Sequence, residues 1–250
     1  MGRELDAGWR SYRVWDPLQR VFHWLNVGCM LGLVAVGTAI LWDKELGVSA
    51  DGKVLLKTVH VWIGYVFAAN VAVRIAWAFA GRPFSRWRAF LPGPGYLQSL
   101  RQFFAGAAAG DAPRYLGHNP LGRLMVTALL LLLTVQATSG LVLAGTDIYY
   151  PPFGSRIAEW VAAPGVDPAT LVPGDKTVVD PAAWDAMRAF RGPFIETHEI
   201  VFYLLLAAVL LHIASVIHAE LREGGSLISA MFSGRKLLDR PPVDEPDSPA

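Results

Sequence analysis

Residues 194–222 read FIETHEIVFYLLLAAVLLHIASVIHAELR, and this stretch decides the fold. Its apolar run, 200–219, matches the ~20 residues that cross a ~30 Å hydrocarbon core. No water reaches the backbone there, so the run must be a helix that satisfies its own hydrogen bonds. His198, His212 and His218 lie in or beside it. Ionisable groups at that depth are costly and usually functional. His198 and His212 are nearly four helical turns apart, so they share one face at a separation of about 21 Å. His218 lies about 240° further round from His212 and faces elsewhere, near a membrane surface.

Three more apolar runs occur, at 21–42, 59–80 and 124–145. With their flanks, the expected spans are 18–42, 55–80, 121–145 and 194–222. Strand-length alternation is absent, which excludes a barrel. The fold class is therefore all-α, a transmembrane four-helix bundle. Residues 1–223 form its single domain, and 224–250 form a tail that is partly disordered. Composition agrees, with 53% apolar and only 17% charged residues, against about a quarter charged in soluble domains. The first run is longer than the 7–15 apolar residues of a signal peptide and carries His23, so it is read as a retained helix. A net charge of +1 gives no field for nucleic acid. The single cysteine, Cys29, excludes an intrachain disulfide and a CxxCH haem attachment, and reads as an inert buried thiol.

Lys and Arg set the orientation. The N-terminus, the connection 81–120 and the C-terminus hold about twice as many as the loops 43–53 and 146–193. Both termini are thus expected on the cytoplasmic side of the membrane. Within 81–120, residues 96–104 read as an amphipathic helix lying in the interface. Within 146–193, residues 155–163 and 182–191 read as short helices.

The expected directions of the helices place the remaining histidines by depth. His60, near the start of an inward-running helix, is at outer depth with His198. His23, near the start of an outward-running helix, is at inner depth with His212. Two stacked histidine pairs between facing helices are what two b-type haems require as axial ligands. Gly28, Gly32, Gly37 and Gly64 leave flat space beside them, although Gly28 and Gly32 also suit simple helix packing. Arg74 faces the His60 side near the inner depth. It suits a propionate, a quinone carbonyl or a snorkelling role at the rim. Arg20 and His218 are inner candidates for quinone or propionate contact. Asp16 is a further inner candidate on the quinone side, and reads more simply as a helix cap before Pro17. Asp147, Tyr149 and Tyr150 are outer candidates, the tyrosines reading most simply as interface aromatics. His118, in Gly117-His118-Asn119-Pro120, reads as a turn before a helix and is assigned no metal.

Two stretches carry a family resemblance: VWDPLQRVFHW at 14–24 and KTVHVWIGY at 57–65. With the paired His198 and His212, they resemble the bacterial cytochrome b561 family, which includes the nickel–iron hydrogenase b-type cytochrome subunits. The resemblance covers about residues 12–223. It implies electron transfer between membrane quinone and a partner protein through two haems b, with His23, His60, His198 and His212 as axial ligands. A hydrogenase, a dehydrogenase or a periplasmic c-type cytochrome would be the partner, in a lipid bilayer, and a homodimer is compatible with it. The chain reads as an electron-transfer subunit, with quinol oxidation as the one reaction it would catalyse. The competing classes are a proton or metal transporter using intramembrane histidines, and a membrane anchor without redox function. All four span cores lack carboxylates, which weighs against the transporter. The depth pairing of the histidines serves no purpose in a pure anchor.

Overall fold

The computed structural model describes residues 3–4, 8–223 and 226–245. Its elements are β1 (Arg3–Glu4), β2 (Arg10–Arg13), α1 (Pro17–Leu41), α2 (Ala50–Ala80), α3 (Trp87–Phe90), α4 (Tyr96–Ala108), α5 (Pro120–Ile148), α6 (Gly154–Val161), α7 (Pro181–Glu223), α8 (Leu227–Ser233) and β3 (Arg235–Leu238). Among the described residues the protein is all-α apart from one small sheet and an isolated bridge between Ala162 and Val179. Helices α1, α2, α5 and α7 are long and apolar enough to cross a membrane.

All four start in the same way. A polar side chain just before the helix accepts the N–H three residues on. Asp16 accepts from Gln19 at 2.8 Å, Ser49 from Gly52 at 3.1 Å, Asn119 from Gly122 at 2.7 Å and Asp180 from Ala183 at 2.8 Å. In three of them a proline follows at the first helical position, where its missing N–H costs nothing. These caps explain why α2 and α7 begin before the expected 55 and 194, since hydropathy does not register them. The stretch 182–191 is correspondingly not a separate short helix but the first turns of α7, which continues through Pro193. A proline inside a helix removes one backbone bond, a loss that neighbouring packing in a bundle can offset. The short helix expected at 155–163 is α6, and α4 extends the one expected at 96–104.

The chain divides into two compact units. The first comprises Met1–Trp24, Ala72–Leu131 and Leu206–Ala250. Here β2 pairs antiparallel with both β1 and β3. Tyr12, Val14, Trp15, Leu116, Ala230 and Leu238 make its apolar core. Lys236 of β3 is buried and donates to the carbonyls of Tyr115 (3.3 Å) and Gly117 (2.8 Å). Asp244 accepts the N–H groups of Leu116 and Gly117, and Arg114 forms a two-pronged pair with Asp239. So the segment 226–245, expected as part of a partly disordered tail, holds a helix and a strand that fix the loop 114–118. Residues 246–250 lie outside the described residues.

The second unit comprises Leu25–Val71 and Leu132–Leu205. The segment 149–180 folds on a core of Ile157, Val161, Leu171, Val179 and Met187, against which Tyr149 packs. Helix α5 ends with Tyr149 in the left-handed region (φ 57°). Gly154 must be glycine, because a Cβ there would lie 2.0 Å from the Tyr149 carbonyl oxygen.

Candidate functional site

In the second unit, α2 carries His60 and α7 carries His198. Their ring centroids are 6.3 Å apart, with the planes at 73°. Two imidazoles that each reach one metal at about 2 Å would place their centroids about 6 Å apart. Each ring rests on a glycine of another helix. A Cβ on Gly37 of α1 would meet His60 Cε1 at 3.1 Å, and one on Gly140 of α5 would meet His198 Cε1 at 3.1 Å. The smallness of these glycines is what lets the rings approach those helices. Gly32 instead faces Ile63, while Gly28 and Gly64 border open space.

Three residues of α5, Gln136, Ser139 and Gly140, address His198 from one helix face. Ser139 Oγ is 3.0 Å from His198 Nδ1, and Gln136 Nε2 is 3.0 Å from His198 Nε2. His60 Nδ1 and Gln136 Oε1 are buried without a hydrogen-bond partner. A buried polar atom left in that state costs about 1–3 kcal/mol, which marks the place as built for a further group. Among the described residues, no three His, Cys, Asp or Glu side chains gather. A bare zinc-like ion takes three or four protein ligands. A two-imidazole site suits an iron whose other ligands come from a macrocycle. The donor set and the glycine walls therefore fit haem.

From the sequence alone, Gln136, Ser139 and Gly140 received no role. The signal was present: three small or polar residues at helical spacing on an otherwise apolar segment.

Beyond the pair, Asp147 at the end of α5 is held by Lys57 of α2 (2.6 Å) and by Arg191 of α7. All three side chains are mostly buried. Lys57 is one turn before His60, and Arg191 two turns before His198. This triad ties three helices together and occupies the Asp147 carboxylate with cations. Tyr150 packs edge-on with Trp62, and Tyr65 donates its hydroxyl hydrogen to the Pro151 carbonyl.

In the first unit, α1 carries His23 and α7 carries His212. Arg74 lies 5.0 Å over the Phe90 ring and donates to the Ser85 carbonyl at 3.3 Å. Arg20 donates to the Phe232 carbonyl and so holds α8. His218 is exposed. Asp16 caps α1 and also accepts from Ser85 Oγ (2.7 Å) and Trp77 Nε1 (3.4 Å). Burial alone would raise the Asp16 carboxyl. The Ser85, Gln19 and Trp77 donors and the Arg82 charge together hold it below the ordinary carboxylate value.

His118 is the unexpected member. Its ring lies 4.9 Å from that of Trp15, and its Nδ1 is buried without a partner. Burial, and then the charges of Lys236, Arg74, His212 and Arg123, push its pKa down to about 3. The expected turn and helix start are there. What the local pattern could not show is that the loop folds inward.

The prokaryotic cytochrome b561 family model matches residues 14–234. Among similar curated proteins is the probable Ni/Fe-hydrogenase B-type cytochrome subunit of Bradyrhizobium diazoefficiens, 24% identical over 93% of this chain and 89% of that protein. The probable Ni/Fe-hydrogenase 1 B-type cytochrome subunit of Escherichia coli is also 24% identical, over 90% of each chain. The corresponding protein of Cupriavidus necator is 23% identical over 88% of this chain and 85% of its own length.

Proposed function

Because the chain belongs to the prokaryotic cytochrome b561 family, we propose that it is a dihaem electron carrier linking membrane quinone to a periplasmic redox partner. The coarser part of this reading follows from the family: a multi-pass membrane b-type cytochrome that transfers electrons. The finer part is ours. His60 and His198 hold one haem b in the second unit, and His23 and His212 hold another in the first. The observation that carries this is the His60–His198 pair, 6.3 Å between centroids, with glycine behind each ring. When bound, haem supplies one-electron chemistry at its iron.

The chain's own residues hold and tune. Ser139 at His198 Nδ1 orients the imidazole, as a hydrogen-bond partner on the distal nitrogen does for metal-bound histidine. Gln136 is placed to exchange its contact at His198 Nε2 for another partner when that nitrogen binds. Arg74, fixed by the Ser85 carbonyl and the Phe90 ring, supplies a positive charge to the His23–His212 site. His218, exposed on α7, is the residue placed to exchange a proton with quinone. The Lys57–Asp147–Arg191 triad is read as structural, since its carboxylate is already shared between two cations.

The hydrogenase subunits among the relatives favour a hydrogenase-like enzyme as the partner. Both termini then lie in the cytoplasm of the bacterial inner membrane, with 149–180 facing the partner. The test is quinol-driven reduction of the purified protein. His218→Ala is expected to slow it about tenfold or more while both haem spectra persist. An unchanged rate removes His218 from the quinone site, and loss of a haem reassigns it as a ligand or a structural residue.

A further inference from the structure

The first unit contains a half-buried cluster that the helix caps leave unused: His118, Arg74 and Arg123, with the buried Lys236 lying 5.4 Å over the Trp15 ring against which His118 packs. Arg123 donates to the carbonyls of Arg88 and Leu91, and Arg74 to that of Ser85. Neither arginine is in an ion pair among the described residues. Asp16 is the carboxylate whose field reaches Arg74, but its oxygens are already engaged by Gln19, Ser85 and Trp77. Two donors or acceptors inside the cluster, His118 Nδ1 and Arg123 Nε, are buried without a partner. The charges of Lys236, Arg74 and Arg123 all reach the His118 ring. A group of cations with unmatched buried N–H groups is the complement of an anionic oxygen acceptor, a carboxylate or a phosphate.

We propose that this cluster is the carboxylate-binding corner of the His23–His212 site, with His118 donating to a propionate of the haem held there. The inference rests on the dihaem reading. It goes further by giving a loop histidine a positioning role on the haem edge and by making the cluster specific to one of the two haems. A propionate is favoured over a lipid phosphate for two reasons. The His118 ring lies 4.9 Å from Trp15, which leads into α1 about two turns before His23, so the corner lies at the end of α1 that carries the histidine pair. Lys236 and Asp244 also fasten the loop 115–117 from the C-terminal segment, which holds the corner shut on that side.

Removing the donor leaves the propionate charge less neutralised, and this favours the oxidised haem. The experiment is a redox titration of the purified full-length protein with haem counting, on wild type, His118→Phe and His118→Gln. The component that disappears in His212→Ala identifies the first-unit haem. His118→Phe is expected to shift the oxidised-to-reduced ratio of that component about tenfold toward oxidised at a fixed potential. For one electron this is a midpoint about 59 mV lower. The other component stays in place, and His118→Gln, which retains a donor, restores most of the shift. Loss of the first-unit haem in Phe but not in Gln also supports the assignment. Unmoved midpoints with two haems present overturn it, as does equal loss of haem in both variants. A change only in co-purifying anionic phospholipid would assign the corner to a lipid phosphate and overturn it too. A wild-type protein without two haems would instead refute the dihaem reading on which the inference stands.

Discussion

The two proposed histidine pairs would share a ligand chemistry, and their surroundings differ. In the second unit the rings rest on Gly37 and Gly140, and His198 meets the neutral groups of Ser139 and Gln136. In the first unit the surroundings include charged groups instead: Lys236 lies 5.4 Å over the Trp15 ring, His118 lies 4.9 Å from that ring, and Arg74 lies 5.0 Å over the Phe90 ring. Nearby positive charge stabilises the form of a redox centre that carries less positive charge, which is the reduced one. On the dihaem reading, the comparison teaches how one ligand set in one chain would be poised at two potentials by its surroundings. The first-unit haem is expected to have the higher midpoint.

The largest effect should come from removing ligands, and it tests whether the two units load independently. His198→Ala and His212→Ala are each expected to halve the haem content in a pyridine-haemochrome assay, and the surviving component should differ between them. If either substitution abolished both haems, the units could not be treated as separate sites. Next is the triad of the second unit. Asp147→Asn leaves Lys57 and Arg191 mostly buried and unneutralised, at a cost of about 3 kcal/mol, somewhat less where water still reaches them. Thermal unfolding of the detergent-solubilised protein should report this as a lower midpoint, with the second-unit haem released first. Release of the first-unit haem first would contradict the division into units.

A smaller change is expected from Ser139→Ala, which removes the contact to His198 Nδ1. Losing such a partner typically weakens a metal site 10–100-fold. Haem transfer to excess apomyoglobin would show faster loss of the second-unit haem alone. The smallest effect concerns Asp16. Its carboxyl titrates below the unfolded value of 3.8, so it contributes stability above that pH and loses it as the pH falls through the folded value. Acid unfolding followed by circular dichroism should therefore be less steep below pH 3.8 in Asp16→Asn. A steeper transition would show that the Ser85 and Trp77 contacts to Asp16 do not persist in solution.

Much of this was legible in the sequence because membrane spans are set by local hydropathy. The four long helices follow from apolar run length, and helical rise gives the expected depths of His23, His60, His198 and His212. Helix starts were less legible, because Ser49 and Asp180 act through single hydrogen bonds that a hydropathy window averages away. Pro193 argues locally for a break, yet α7 runs through it, since packing decides in a long helix. The sheet of the first unit pairs Ser11 with Leu237. A contact between positions so distant in the chain leaves no local pattern. The inward fold of His118 depends on that sheet, through Lys236, and so was out of reach for the same reason. The second unit offered a readable sign in Gln136, Ser139 and Gly140, whose spacing marks one helix face.

The central claim is that the chain holds two haems, one per histidine pair. The most direct test is the number of haems b per chain in the purified protein, measured as the pyridine haemochrome alongside a reduced-minus-oxidised spectrum. The account predicts two. One haem would show that His23 with His212, or His60 with His198, is not a ligand pair. None, after haem is supplied, would contradict the account altogether.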